Sequence, residues 1–444
     1  MTMEQIPLYA ALKRHLAQNR SAFHTPGHSG HLPPFLQNLL QFDTTELPDT
    51  DSLYEAQGSI LQAERRAARV FGAGRTLFSA GGCTLCIQTM LRLVCSGKKI
   101  IAHRVLHRSA VNAMALLDIQ PVWLLPGENA GRGFSGRIVP QDVERLLRQH
   151  GDIAAVYLTS PDYFGVISDI AGIARICHGH GVPLLVDNAH GAHLFLTPEN
   201  LHPLALGADI TACSAHKTLP VFTGGAFLNF ASDTYAQQAK QAMALFGSTS
   251  PSYPIMASLD LCMQWAQMQG KQAYAHLVRR VDRLKDFARR HGILLPQGLT
   301  DPTRLTLQTA ALGVSGVQAA EIFRAYFVEP EYADEVNLVL ITTPFHTERD
   351  FLRVERAIAA LPKKTPFCID TVLPPLPKVE LSVRQAVFAP AEKIPLQDSV
   401  GRIAADTACP CPPGVPVVMP GEVITKEIVG FLKKYRFLTV KVVK

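Results

Sequence analysis

The stretch "CSAHKTLPVFTGGAFLNF", residues 213–230, carries a single lysine, Lys217, with a serine and a histidine just before it and a glycine pair after it. Its second half, "GGAFLNF" (224–230), reads as a buried strand. Other short apolar runs share that character: "TLFSA" (76–80), "KKIIAH" (98–103), "PVWLLP" (121–126), "IAAVYLTS" (153–160) and "VPLLVDN" (182–188). Between them lie helical patterns such as "TLCIQTMLRLVC", "HRSAVNAMALL", "QDVERLLRQH" and "DIAGIARICHGHG". Strands that are apolar almost throughout, alternating with helices, predict an α/β fold with a mostly parallel sheet covered on both faces. Ligands of such sheets bind beyond the carboxyl ends of the strands. The polar clusters "GGCT", "HRVLHRS", "SPDYFG", "DNAHGAH" and "SAHK" each follow a strand directly, so they are expected to converge on one site that includes Lys217.

The remaining chain is organised around that sheet. From about residue 256 a long helical stretch runs through "ASLDLCMQWAQMQGKQAYAHLVRRVDRLKDFARRHG". "TRLTLQT", "GVSGVQAAEIFRAYF" and "NLVLITTP" then predict a smaller α/β domain. The expected division is an N-terminal arm over 1–50, a large domain over 51–295 and a C-terminal small domain over 296–444, with a proline-rich connection near 363–382. At 444 residues, 47% hydrophobic and 18% charged, the chain has ample core for this and is not disordered. Its net charge of +6 is mild and no run of five Lys or Arg occurs, so nucleic acid is not implied. The start lacks an apolar signal region and no apolar run reaches the length of a membrane span. A cytoplasmic protein without membrane contact is expected. Nine cysteines, several in apolar runs, read as thiols of a reducing compartment. The Cys83–Cys86 pair and the Cys409–Cys411 pair lack further ligands at zinc spacing.

Chemistry enters through residue types at strand ends. A lysine amine becomes reactive when burial or a neighbouring cation lowers its pKa, and then forms Schiff bases; a surface lysine at a turn is the plainer reading of Lys217. Asp187 ends the run "VPLLV", 30 residues before Lys217, which leaves room for one crossover and another strand. A carboxylate there either caps the next helix or keeps a pyridinium nitrogen protonated, as pyridoxal phosphate chemistry requires. "SAGGCT" (79–84) opens a helix after a strand, where backbone N–H groups can cradle a phosphate. His107, in "HRSAVN", is placed to stack on an aromatic ring or to rest near the surface.

With those residues in order, the chain resembles the pyridoxal-phosphate-dependent ornithine/lysine/arginine decarboxylases, of the aspartate-aminotransferase fold (fold type I). The resemblance runs through "FHTPGHSG" (23–30), "DTDSLYEAQGSI" (49–60), "HRSAVN" (107–112), "SPDYFGV" (160–166), "VDNAHGAH" (186–193), "SAHKTLP" (214–220), "GSTSPSYPIMASLD" (247–260) and "CPPGVPVVMPGE" (411–422). It has the look of a short form without the N-terminal wing domain of larger members. The resemblance implies that Lys217 links the cofactor, Asp187 pairs with the pyridine nitrogen, His107 stacks on the ring and Ala189 lies on its other face. Ser214, His216 and the turn Gly82, Cys83 and Thr84 would hold the phosphate. Ser248, Thr249 and Ser250 would reach the phosphate of a neighbouring subunit, which makes a homodimer. Asn188, Cys83 and Asp162 depart from the residues usual in that family.

The implied activity is decarboxylation of lysine, ornithine or arginine to a polyamine or agmatine and carbon dioxide. Lys217 or His216 would return a proton to the α-carbon, and His24 and His190 would meet the substrate. A basic side chain needs an acidic partner; "FVEPEYADE" (327–335) offers Glu329 first, then Glu331 and Asp334. The alternatives on the same scaffold are an aminotransferase or a Cβ-lyase, and an aminotransferase needs an arginine clamp for the α-carboxylate, for which Arg304 is placed. A PLP-binding protein that has lost catalysis is a third reading, opposed by the intact Lys217 and Asp187.

Overall fold

The computed structural model describes residues 18–24, 34, 37, 42–47, 50–127, 136–368, 373–410 and 415–444. Most of the expected N-terminal arm, residues 25–30 of "FHTPGHSG", and Cys411 with the start of the tail motif lie outside the described residues. A short strand, β1 (Ser21–Phe23), comes first. The central sheet is built from β2 (Arg75–Ser79), β3 (Lys99–His103), β4 (Gln120–Leu124), β5 (Ile153–Thr159), β6 (Leu184–Asp187), β7 (Ile210–Cys213) and β8 (Ala226–Phe230). Its order is β2-β8-β7-β6-β5-β3-β4. The β4-β3-β5-β6-β7 pairings are parallel, and β8 runs antiparallel to both β7 and β2. The expected α/β sheet is therefore mostly parallel, with one reversed strand.

The middle strands are buried end to end, as a sheet covered on both faces demands. On one face the helices Gly82–Val94 and Arg108–Leu117 bring Ile87, Met90, Leu91 and Met114 against Tyr157, Leu185 and Leu228. On the other, Pro140–Gln149 and Ile170–Gly179 bring Val143, Leu146, Ile173 and Cys177 against Val156, Leu158 and Val186. The long helical stretch is two α-helices, Tyr253–Trp265 and Lys271–Arg290, joined by a π-helical turn at Ala266–Gly270. The widened turn sits where Gly270 packs on Leu196; a Cβ there would come within 2.9 Å of the leucine.

Beyond residue 300, β9 (Arg304–Gln308), β10 (Val328–Pro330), β11 (Tyr332–Ala333) and β12 (Asn337–Ile341) follow. The antiparallel sheet β11-β12-β9 and the parallel pair β1-β10 share one apolar cluster with the helices Tyr253–Trp265 and Lys271–Arg290. The last segment pairs β13 (Ala391–Pro395) with β14 (Thr439–Val443) around a separate cluster of Leu396, Ile428, Phe431, Leu432 and Val442.

That last segment is fastened to the sheet by a buried ion pair. Arg104 follows β3 directly, and its Nη1 and Nη2 each donate to the Glu422 carboxylate at 2.7 Å, both side chains being 1% exposed. Arg104 also donates to the Pro416 and Val417 carbonyls. Breaking such a pair on one side leaves an uncompensated buried charge, which typically costs roughly 3–5 kcal/mol. Glu422→Gln is therefore expected to lower the unfolding free energy by that amount in equilibrium denaturation, far more than loss of an exposed pair such as Arg148–Glu144.

Candidate active site

The carboxyl ends of the parallel strands deliver the chemistry-bearing residues to one place. Register aligns Thr159 with Asp187 and Asp187 with Ala212, so the residues after β5, β6 and β7 emerge side by side. A cavity of about 690 Å³ opens there. Asp187 and Lys217 both line it, as do Gly82, Cys83 and Thr84 from the helix that follows β2. His107, Ala189, His190, Ser214 and His216, also expected from the sequence, line the same cavity.

Asp187 is 1% exposed. Its Oδ1 accepts the Ala189 N–H at 3.0 Å and its Oδ2 accepts the Tyr157 hydroxyl at 3.4 Å. Burial pushes its pKa up, and the Lys217 amine pulls it back. Lys217 sits in the single helical turn Ala215–Thr218 after β7. Burial pushes its pKa down, while Asp187 opposes that. Its Nζ lies 3.0 Å from Nε2 of His190. A desolvated amine across from a buried carboxylate is the arrangement Schiff-base chemistry needs.

The surrounding side chains are held by local geometry. His107 caps the helix Arg108–Leu117: its Nδ1 accepts the Ser109 N–H at 3.2 Å, which orients the ring. Nδ1 of His216 lies 3.3 Å from the Ser214 hydroxyl and 3.2 Å from the Gly225 carbonyl. The helix Gly82–Val94 has no side-chain cap at its start, and Gly82 enters it at φ +71°, a conformation that favours glycine. Such a start turns backbone donors and the positive end of the helix toward an anion.

Two family models match the chain: "Orn/Lys/Arg decarboxylase, major domain" over residues 6–297, and "Orn/Lys/Arg decarboxylase, C-terminal domain" over residues 372–441. This chain belongs to the Orn/Lys/Arg decarboxylase family. An arginine decarboxylase of Bacillus subtilis (strain 168) is 31% identical, the match covering 98% of this chain and 94% of the relative. The constitutive lysine decarboxylase of Escherichia coli (strain K12) is 22% identical over 95% of this chain and 76% of its own length. The solved structure of the E. coli constitutive lysine decarboxylase superposes with a TM-score of 0.74 at 20% identity, covering 99% of this chain and 82% of that one. The fold is accordingly that of fold type I enzymes.

Membership in this decarboxylase family brings pyridoxal phosphate as the cofactor, and the residues present fit it. Among the described residues the buried Asp187 carboxylate accepts from two neutral donors, and a protonated ring nitrogen would supply a cation in direct contact. Lys217 would make the covalent link, and the uncapped helix start with Ser214 and His216 would take the phosphate.

Other expected residues lie elsewhere in the chain. Glu329 is not on the cavity: its carboxylate accepts Nη1 of Arg20 at 2.6 Å and Nε of Arg324 at 2.8 Å. This corrects the expectation that Glu329 faces the site, because two guanidiniums already occupy it. His24 follows β1, which pairs with β10, and does not line the cavity either. Asp334 caps a turn by accepting the Val336 and Asn337 N–H groups. Ser248, Thr249 and Ser250 are exposed and outside the cavity of the single chain. Of the three acids in that segment, Glu331 is the one tied to a cavity residue: it accepts the hydroxyl of Tyr163 at 2.9 Å, and its charge acts on both Lys217 and His216.

The departures from the family pattern have local roles. The Asn188 amide donates to the Gly191 carbonyl and the Cys213 thiol. Asp162 accepts the Val166 N–H at 2.8 Å and so shapes the loop after β5. Cys83 lines the cavity as a thiol, its pKa pushed up by burial. Among the described residues, no cluster of His, Cys, Asp and Glu has metal-holding geometry.

Sequence reading missed Tyr157, which donates to Asp187 from behind the cavity, and Tyr163, Tyr332 and the C-terminal residues Asp406, Thr407, Cys409 and Pro416 on the cavity wall. Tyr157 had a signal, since a tyrosine inside a fully apolar strand needs a partner for its hydroxyl. The C-terminal residues had none, because the contact spans about two hundred residues of chain and follows from the Arg104–Glu422 fastening.

Proposed function

We propose that this chain is a pyridoxal-phosphate-dependent decarboxylase of a basic amino acid, converting lysine, ornithine or arginine to the corresponding amine and carbon dioxide. The observation that carries the reading is the desolvated Lys217 facing the buried Asp187 at adjoining strand ends, in a chain of this family. When bound, pyridoxal phosphate supplies an electron sink through its protonated ring nitrogen. Asp187 keeps that proton in place. The rings of Tyr163, His190 and Tyr332 meet edge to face at 5.0 and 5.3 Å and make an aromatic wall of the cavity. A carboxylate held against such a wall is desolvated, which favours its leaving as neutral carbon dioxide. Nδ1 of His216 is engaged by Gly225 and Ser214, which favours Lys217 as the group that returns a proton to the α-carbon.

Arg304 does not line the cavity; its guanidinium donates to the Tyr163 carbonyl and to His190. That weighs against an aminotransferase, which would aim it at the substrate carboxylate. The homodimer and the reach of Ser248–Ser250 into a partner's phosphate site belong to this proposal, supported by the exposure of that loop. So do the cytoplasmic setting and a role in polyamine formation. The described cysteines are free thiols, and among the described residues no helix is long and apolar enough to cross a membrane.

Glu331 is the proposed partner of the distal cation, through the Tyr163 hydroxyl. The test is a panel of lysine, ornithine, arginine and norleucine, with carbon dioxide and amine measured for the native protein and for Glu331→Gln. Native protein is expected to release both products from a basic substrate; keto-acid without carbon dioxide would sink the decarboxylase reading. Glu331→Gln is expected to narrow the basic-over-neutral preference by roughly 2–4 kcal/mol, chiefly through KM. An unmoved ratio would pass the role to Asp406, which lines the cavity 3.7 Å from Arg108.

A further inference from the structure

Arg304 stands behind His190 rather than in the cavity, and its contacts there constrain where one proton sits. A guanidinium has donors and no acceptor. Its Nη2 lies 3.3 Å from Nδ1 of His190, so Nδ1 presents its lone pair. A neutral imidazole then carries its hydrogen on Nε2. Nε2 is 3.0 Å from Nζ of Lys217. With the hydrogen on Nε2, the lysine is the acceptor, and only an unprotonated amine accepts.

We propose that Arg304 is a positioning residue: through His190 it holds the free Lys217 amine by its lone pair, keeping it as the nucleophile that closes the covalent link to the cofactor. The inference rests on Lys217 being the linking lysine. It concerns the amine after it has given up its proton, when the product must be displaced.

The arginine is held rigidly for this task. It is 3% exposed, and Nη1 donates to the Tyr163 carbonyl at 3.1 Å. Gly165, at φ +88°, lets the arginine stem approach so closely that a Cβ would lie 2.7 Å from its Cγ. The buried Asp301 carboxylate offsets its charge. His190 is kept neutral first by burial and, beside an uncharged Lys217 amine, by the Arg304 charge. Around Lys217, burial and Arg304 favour the neutral amine, while Asp187, Cys83 and Glu331 favour the ammonium. His107 and His216 also feel its charge. Removing Arg304 therefore shifts Lys217 toward the ammonium on two counts, a lost cation and a lost donor to the lone pair.

The test uses the full chain, stripped of cofactor and resupplied with pyridoxal phosphate at a series of pH values. Closure is trapped with borohydride and read as the mass of the Lys217 peptide. Arg304→Met is expected to raise the pH midpoint of closure by about one unit and to slow closure about tenfold at neutral pH. Arg304→Lys keeps a cation and a donor and should stay within about threefold of the native rate. His190→Leu should give an upward shift too, and Arg304→Met on top of it should add clearly less than it does in the native background, only the part owed to its charge. A folded Arg304→Met protein that closes with the native pH profile overturns the proposal, as do shifts that add independently in the double variant. If Arg304→Met does not fold, an unmoved midpoint in His190→Leu overturns it. Trapping at a different lysine in the native protein would instead refute the role of Lys217 itself.

Discussion

Lys217→Ala is expected to abolish turnover, with kcat falling more than about a thousandfold, at least roughly 4 kcal/mol of barrier. Lys217 is the amine facing Asp187 across the cavity, and burial keeps it nucleophilic where an ordinary surface lysine would stay protonated. In its proposed roles, losing it would remove the covalent link and the proton donor together. The same change should leave the fold intact or slightly more stable. A buried amine carries a desolvation cost, and its partner His190 retains Arg304. The combination of full stability by thermal melting, no borohydride-reducible cofactor and no amine product is the expected result. Lys217→Arg, which keeps a cation but cannot form the link, should be equally inactive. A variant that still yields a reducible link to the protein would show that another lysine carries the cofactor.

Asp187→Asn is expected to lower kcat at least about a hundredfold, roughly 2.7 kcal/mol, while raising the stability of the cofactor-free chain at neutral pH. The catalytic loss follows because an amide cannot keep a ring nitrogen protonated. The stability gain follows from the direction of the carboxyl's pKa, which burial raises. A group whose folded pKa lies above its unfolded value is most favourable to folding below the unfolded pKa. Its contribution is lost as pH rises through the folded value. The amide mimics the protonated form at every pH, so variant and native melting curves should converge in acid and separate toward neutrality. A carboxylate that merely capped a helix would behave oppositely, since its loss would destabilise the chain and leave kcat within tenfold.

The fold class was legible because its signal is local. Runs such as "VPLLVDN" and "IAAVYLTS" lack the polar alternation of a half-exposed strand, and they became β6 and β5 in the interior of the sheet. The site was legible as a set of loops for the same reason: in parallel strands with helical crossovers, every strand end of one sense faces the same edge. That is why His107, Asp187 and Lys217, far apart in sequence, line a single cavity.

Glu329 and Glu331 show what lay beyond that reading. They are two residues apart in a strand-like run, where periodicity places both on the same side. Glu329 lies in β10 beside β1, where Arg20 and Arg324 reach it, whereas Glu331 falls just past the strand, against Tyr163. Arg304 makes the same point. Its place at the start of β9 suggests a carboxylate clamp, and only the close approach at Gly165 and the acceptor on His190 turn it away from the cavity.

The sequence by itself determined the strand and helix order, the family and the edge of the sheet that bears the chemistry, because hydrophobic pattern and strand polarity act within a few residues. The tertiary structure decided where Glu329, Glu331 and Arg304 find their partners and which C-terminal residues line the cavity. Those choices depend on burial, and on which charges are already paired, across separations from 141 residues for Tyr163–Arg304 to 318 for Arg104–Glu422. No local pattern encodes them.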